Sequence, residues 1–132
     1  MGRSTPIFSP TGGMKISAND LAKYMIMHSQ LGKYEGGRII PKKLSQQMQA
    51  IISEEENYGM ALETSTQLIQ GKTMIGHTGV AYGLYSLMFF EPKEKIGFVV
   101  ITNGSDPKII NGINGVLHQT VNILYNNLIQ KN

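Results

Sequence analysis

The segment Gly76-His77-Thr78-Gly79-Val80 places two side chains able to do chemistry between glycines, just before a strongly apolar stretch. An imidazole can hold a proton near neutral pH, and a hydroxyl can donate or accept a hydrogen bond. The glycines leave room for a ligand to lie against a strand edge. A single histidine in a loop is more often an ordinary surface residue, but this grouping indicates a binding or catalytic site.

A second glycine-containing segment, Gln70-Gly71-Lys72-Thr73, has the ending of a phosphate-binding loop. The first glycine of that pattern would fall at position 66, which is Thr66. The loop also requires a helix to follow it, because the backbone amides at a helix N-terminus bind the phosphates. The residues after Thr73 favour a strand or turn, so we do not expect nucleotide binding.

The other two histidines, His28 and His118, fall on predicted helices without a His, Asp or Glu partner at ligand spacing on the same face. Metal sites need several such ligands converging on one point. We therefore expect both side chains at surface or boundary positions, and we expect neither a metal ion nor another cofactor.

Two helices are predicted near the start of the chain, after an irregular segment over residues 1–16. The first has Ser17 as its N-cap, carries Asp20 in its first turn and stops at Gly32. The second begins at Pro41, a residue favoured in the first turn of a helix. Its expected apolar face consists of Leu44, Met48 and Ile51.

Strands are predicted in the middle of the chain. The Gly36-Gly37 pair marks a turn, and residues 58–62 have the composition of a strand. Residues 82–90 and 96–102 are two strongly apolar runs joined by a polar turn, which is typical of a β-hairpin.

The last third ends in an apolar stripe at helical spacing over residues 109–128, which predicts the longest helix of the chain. Gly112 and Gly115 each cost up to about 1 kcal/mol relative to alanine inside a helix. We therefore expect either close packing or a frayed first turn at these positions.

Composition excludes several classes of protein. The length of 132 residues and the 41% hydrophobic content suit a single domain over residues 1–132. The net charge is only +3 and the basic residues are scattered, which is not the pattern of a nucleic-acid-binding protein. No apolar run approaches the roughly 18 residues of a membrane span. The chain has no cysteine, which excludes disulfides and leaves the redox compartment open.

An ordered set of short motifs resembles the last third of the beta-lactamase-related serine hydrolases, a family that includes class C beta-lactamases, D-alanyl-D-alanine carboxypeptidases and related esterases. The resemblance covers roughly residues 9–130, and no single motif is specific without the others. The motifs, in chain order, are Thr11-Gly12-Gly13-Met14, Ser17 to Tyr24, Tyr58-Gly59-Met60, Gly76-His77-Thr78-Gly79, Gly83, Pro92 and Val99 to Asn103.

The resemblance implies an α+β fold, a partial beta-lactamase-like fold. We expect an antiparallel sheet of about three strands, two N-terminal helices and a long C-terminal helix. It also implies that His77 and Thr78 bind the substrate carboxylate and assist proton transfer. The backbone amide of Val80 would form half of an oxyanion hole, beside a substrate that lies against Gly76 and Gly79. For the compartment, the resemblance suggests the periplasm or another extracytoplasmic space.

The nucleophile of this family is a serine in Ser-x-x-Lys, and only Ser105 among the nine serines has a lysine three residues later. This serine follows the His-Thr-Gly triplet, whereas the family places its nucleophile before it. We therefore expect Ser105 to be a helix cap or turn residue. The family's Tyr-x-Asn motif has one literal match, Tyr125-Asn126-Asn127, in the final helix and out of order. The Ser17-Ala18-Asn19 variant is accounted for by helix capping.

Three functional interpretations follow. The chain is a C-terminal part of a serine hydrolase that is inactive alone, or a domain whose nucleophile comes from another chain, or a noncatalytic module that binds peptide or cell-wall-like ligands. The expected partners are the missing N-terminal portion of the fold or a second copy joined through the edge of the 96–102 strand, together with a small acyl or peptide-like substrate.

Overall fold

The computed structural model describes residues 14–81 and 83–130. Most of the segment expected to be irregular, residues 1–16, lies outside these ranges, as does Tyr82. Helices α1, α2 and α3 span Ala18–Ser29, Lys42–Gln49 and Gly115–Leu124, and α3 continues into a π-helical turn, Tyr125–Ile129. The strands are β1 Lys33–Tyr34, β2 Gly37–Arg38, β3 Glu63–Ser65, β4 Met74–Ala81, β5 Leu84–Glu91, β6 Ile96–Thr102, β7 Ile109–Ile110 and β8 Ile113–Asn114.

The main sheet has four strands in the order β3-β4-β5-β6, and every neighbouring pair is antiparallel. The predicted hairpin is the β5–β6 pair, and the α+β fold class is confirmed. The sheet has one strand more than expected, because residues 74–81, for which the sequence favoured a strand or turn, form β4. No helix in the described ranges is both long and apolar enough to cross a membrane.

Helices cover both faces of the sheet. One face packs against α3 through a cluster of nine buried residues that includes Phe89, Leu117 and Val121. The other face packs against α1 through a smaller cluster that includes Met25, Met88 and Phe90. Burying such an apolar side chain contributes roughly 1.5–3 kcal/mol, so the two clusters hold the hairpin between the two helices.

The first helix begins as predicted and ends slightly earlier than predicted. The Ser17 hydroxyl accepts a hydrogen bond from the Asp20 amide at 3.1 Å, as an N-cap does. At the other end, Leu31 takes the left-handed conformation with φ +53°, and its amide donates to the carbonyl of His28. The Gly32 amide donates to the carbonyl of Met27, which completes a Schellman motif. The helix therefore stops at Ser29, and the residue that turns the chain is Leu31.

The predicted apolar face of the second helix is wrong. Leu44 is 41% exposed, and Ile51 lies after the helix at 46% exposure. The fully buried residue of α2 is Ser45, and Met48 packs against the smaller cluster. Polar contacts hold this short helix, since the Gln49 amide donates to the carbonyl of His28 at 2.8 Å.

The strand predicted over residues 58–62 is also wrong. Tyr58 forms only isolated bridges, to Ser53 and to Glu63, and Ala61 has a φ of +63° that no extended strand permits. Regular pairing begins one residue later, at Glu63, where β3 starts.

The predicted C-terminal helix begins later than its apolar stripe suggests. Residues 109–114 form the β7–β8 hairpin, which turns at Asn111 and Gly112 with φ values of +51° and +79°. The Asn114 side chain then accepts from the Val116 amide and caps α3. Gly115 is the first residue of the helix rather than an interior one. Together with its π-helical turn, α3 runs without a break from Gly115 to Ile129 and is longer than the 12 residues of α1, as predicted.

His28 departs most clearly from expectation, because its side chain is fully buried rather than at the surface. Its ring packs edge-on against Tyr24 at 4.6 Å between centroids, and neither ring nitrogen has a hydrogen-bond partner among the described residues. Burial disfavours the charged imidazolium and lowers the pKa of His28. The folded chain therefore favours the uncharged form of the His28 imidazole.

This burial predicts acid sensitivity. Because the folded-state pKa of His28 lies below the unfolded value near 6.5, the unfolded chain binds a proton first as the pH falls. The free energy of unfolding should therefore decrease progressively below about pH 6.5 and be fully recovered above it. Urea denaturation at pH 8 and pH 5.5 should show a smaller loss for His28→Met than for the unsubstituted chain. His118→Gln is the control and should keep the full loss; equal losses in all three proteins would contradict the assignment.

Candidate functional site

The Gly76-His77-Thr78-Gly79 segment lies within β4, at the point where one neighbouring strand ends. On one side β5 pairs with β4 from Ile75 to Ala81, and on the other side β3 pairs only with Met74 to Gly76. From residue 77 onward, no strand among residues 14–81 and 83–130 covers the β3 side of β4, and we call this the uncovered edge. The triplet borders a strand rim, as the sequence interpretation requires.

Side chains alternate between the two faces of a strand, so His77 and Thr78 point away from each other. Ile75 packs in the cluster on the α1 side, and Met74 packs in the cluster on the α3 side. His77 shares a face with Ile75, and Thr78 shares a face with Met74. The two side chains can reach a common ligand only around the strand edge.

His77 is held by two hydrogen bonds. Its Nε2 lies 3.0 Å from the Tyr58 hydroxyl, and the two rings meet edge-to-face at 5.9 Å. Its Nδ1 bonds the carbonyl oxygen of Thr78. Because a carbonyl only accepts, Nδ1 donates to it, and Nε2 shares the second hydrogen bond with the Tyr58 hydroxyl. The hydroxyl of Tyr58 therefore orients the exposed imidazole.

The backbone groups of β4 alternate between its two neighbours. The Thr78 amide bonds the Glu63 carboxylate at 3.1 Å, which identifies it as pointing towards β3 rather than β5. In an antiparallel sheet every second residue points the same way, so the Val80 amide also faces the uncovered edge. Val80 as a whole residue is 69% exposed, and no described strand pairs with it on this edge, so its amide can meet a ligand.

The two glycines of the triplet segment serve different purposes. Gly76 is buried, and a Cβ there would come within 1.9 Å of the carbonyl oxygen of Met88 and 2.7 Å of the Phe89 ring. A Cβ at Gly79 would meet only the Ser86 hydroxyl, at 2.7 Å. The space at Gly76 is therefore filled by Phe89, whereas Gly79 lies beside a side chain that can rotate away.

The alternative motifs are accounted for by local structure. Ser105 lies in the loop after β6, and its hydroxyl bonds the carbonyl of Asp106 and the side chain of Asn114. Because Ser105 and Lys108 are not on a helix, they do not share a helical face. Tyr125 packs against the larger core cluster in the π-helical turn. Lys72 precedes β4, not a helix, and pairs with Glu94.

Two residues of the site were not identified from the sequence. Tyr58 belonged to the motif set, but nothing in its spacing indicated a contact with a residue 19 positions away. Nothing in the sequence around Glu63 indicated a role at the site, because a glutamate at the start of a short strand is common. Both contacts depend on how the loop before β3 folds onto β4.

The packing around Gly76 and Gly79 predicts different stability costs for an alanine substitution at the two positions. Gly76→Ala should lower the free energy of unfolding by about 3 kcal/mol or more, because the obstructing atoms belong to backbone and a packed ring. Gly79→Ala should cost less than about 1 kcal/mol, since Ser86 can change rotamer. Urea denaturation measures both values. Adding Ser86→Ala should remove most of the Gly79→Ala cost, and similar costs at the two glycines would contradict this packing.

Comparison with known proteins agrees with the geometry. A family model described as Beta-lactamase matches residues 1–115, which includes α1, the whole four-stranded sheet and the edge of β4. The chain matched neither a curated protein nor a solved structure. With most of its length and its complete main sheet inside the match, the chain belongs to the beta-lactamase family.

Proposed function

We propose that this chain provides the substrate-binding strand of an acyl-hydrolase site of the serine beta-lactamase type, in which β4 carries the His-Thr-Gly motif. The observation that supports this most directly is the Val80 amide, which points out of an uncovered strand edge. The 132 residues contain no Ser-x-x-Lys on a helix, so the nucleophile is expected from outside them. We expect the chain alone to be inactive.

In this proposal the carbonyl oxygen of the substrate lies against the Val80 amide. Attack on the carbonyl turns that oxygen into an oxyanion, and a fixed N–H donor stabilises the charge as it develops. Removal of one such donor costs roughly 10²–10³ in rate in other enzymes. The second donor would be the amide of the nucleophilic serine itself.

His77 and Thr78 have supporting roles in the proposal. The imidazole faces the Tyr58 hydroxyl through Nε2 at 3.0 Å, so Tyr58 and His77 can pass a proton along the rim. The Thr78 hydroxyl lies on the opposite face and can bind a polar group that reaches around the edge. Gly79 allows a ligand to approach the backbone between them. By resemblance, the substrate is a beta-lactam, a D-alanyl peptide or an ester.

Ligand binding tests this proposal. A ¹⁵N-labelled sample titrated with N-acetyl-D-alanyl-D-alanine amide should show shift changes at Val80 and Thr78. Val80→Pro should abolish these changes at Thr78, because it removes the proposed carbonyl donor at an edge position that tolerates proline. Val80→Thr keeps the amide and is the control.

Two results would oppose the proposal. Covalent labelling of this chain by a beta-lactam or a fluorophosphonate, read by intact mass, would show that it contains its own nucleophile. Binding that survives Val80→Pro but is lost in His77→Ala or Thr78→Val would favour a noncatalytic module that holds its ligand through side chains.

We also propose that a second copy can pair with the outer edge of β6. Since Val100 and Phe98 point towards β5, the backbone groups of Gly97, Val99 and Ile101 point outward. This set is symmetric about Val99, so two antiparallel copies could form six hydrogen bonds with Val99 facing its counterpart. No strand in the described part of the chain pairs with this edge, and an apolar edge without a neighbour invites such pairing.

Sedimentation velocity tests this pairing. The unsubstituted chain should shift towards dimer as its concentration rises. Val99→Lys should remain monomeric, because the substitution places two like charges opposite each other at the interface. Val99→Thr, with a similar shape and no charge, should still dimerise, provided that circular dichroism shows both variants folded. A chain that stays monomeric at millimolar concentration would refute the second copy as partner.

A further inference from the structure

Glu63 occupies the position next to the proposed substrate carbonyl. Its backbone forms the last rung between β3 and β4, opposite Gly76, and its carboxylate accepts from the amide of Thr78 at 3.1 Å. The Glu63 side chain thus supplies the next hydrogen bond to β4, at Thr78, where the β3 backbone no longer pairs with it. The first amide of β4 that remains available to a ligand is that of Val80.

The surroundings of Glu63 add negative charge. A groove of about 310 Å³ lies alongside β3, and its described lining includes Glu56 and Glu63 but neither a lysine nor an arginine. The His77 ring bonds the Tyr58 hydroxyl and the carbonyl oxygen of Thr78. Lys72, which precedes β4, is paired with Glu94.

From this geometry we infer that Glu63 is a specificity-determining residue. It favours acyl substrates whose group beside the reacting carbonyl is neutral or cationic, and it disfavours substrates that carry a carboxylate at that position. The inference rests on the proposed function, because it concerns the same edge. A substrate carboxylate at the Thr78 amide would have to displace Glu63 or lie beside its charge. Two like charges about 4 Å apart cost about 1 kcal/mol even in water, which corresponds to roughly fivefold in affinity.

The same geometry limits the length of the substrate. Beyond Gly76 the outward backbone groups belong to Thr78 and Val80, and both groups of Thr78 already have partners, the Glu63 carboxylate and His77. Within the described part of β4, only Val80 offers a donor and an acceptor together. One residue or acyl group can pair there, whereas an extended peptide needs a longer ladder. The site therefore fits a small acyl compound.

A pair of ligands that differ in one charge tests the inference. N-acetyl-D-alanyl-D-alanine and its C-terminal amide are titrated into ¹⁵N-labelled protein, and affinities are read from the shifts of Val80. The unsubstituted chain should bind the amide about fivefold more tightly than the acid. Glu63→Gln keeps a hydrogen-bond acceptor for Thr78 without the charge, and it should raise the affinity for the acid about fivefold while changing that for the amide less than twofold.

Glu56→Gln is the matched control, since Glu56 lines the same groove without contacting Thr78, and it should change the ratio less than Glu63→Gln does. A ratio of acid to amide affinity that is near one in the unsubstituted chain, or that Glu63→Gln leaves unchanged, would overturn the inference while the proposed function stands. Absence of any shift at Val80 with either ligand would overturn the proposed function and this inference together.

Discussion

The packing of Phe89 over Gly76 is the contact on which the site depends. The two residues face each other across β4 and β5, and Phe89 is fully buried between the sheet and α3. No other residue type fits at position 76 without moving the backbone of β5. A register slip of one residue would place a side chain there and would also exchange the faces of every β4 residue. The contact therefore fixes the register of β4.

Once the register is fixed, the chemistry at the rim follows from the alternation of a strand. His77 must point to the α1 side, where Tyr58 can reach its imidazole, and Thr78 must point to the α3 side. The amides of Thr78 and Val80 must point to the same uncovered edge. The first is bound by Glu63, and the second is left to a ligand. A glycine needed for packing thereby determines which backbone donor is exposed.

The sequence predicted those parts of the molecule that depend on local pattern. The Ser17 cap, the β5–β6 hairpin and the position of the His77 triplet beside it all follow from residue types within a few positions of one another. The predictions failed where distant contacts decide. His28 is fully buried, and the Gln49 side chain of α2 binds its carbonyl from 21 positions away, a contact that no spacing within α1 reveals. The stripe over residues 109–128 was read as one helix, although Asn111 and Gly112 turn the chain and Asn114 caps the helix that follows.

The site shows the same division between local and distant determinants. The sequence favoured a strand or turn at the triplet, which lies in the strand β4, but the motif alone suggested that His77 and Thr78 act side by side on a carboxylate. Their opposite orientations depend on β4 being a regular strand through the whole triplet, and the charge beside them depends on where β3 ends. If β3 began two residues earlier, at Ala61, a backbone carbonyl rather than a carboxylate would meet the Thr78 amide. The length of a three-residue strand thus sets the electrostatic character of the rim, and a triplet shared across a family need not prefer the same substrate charge in each member.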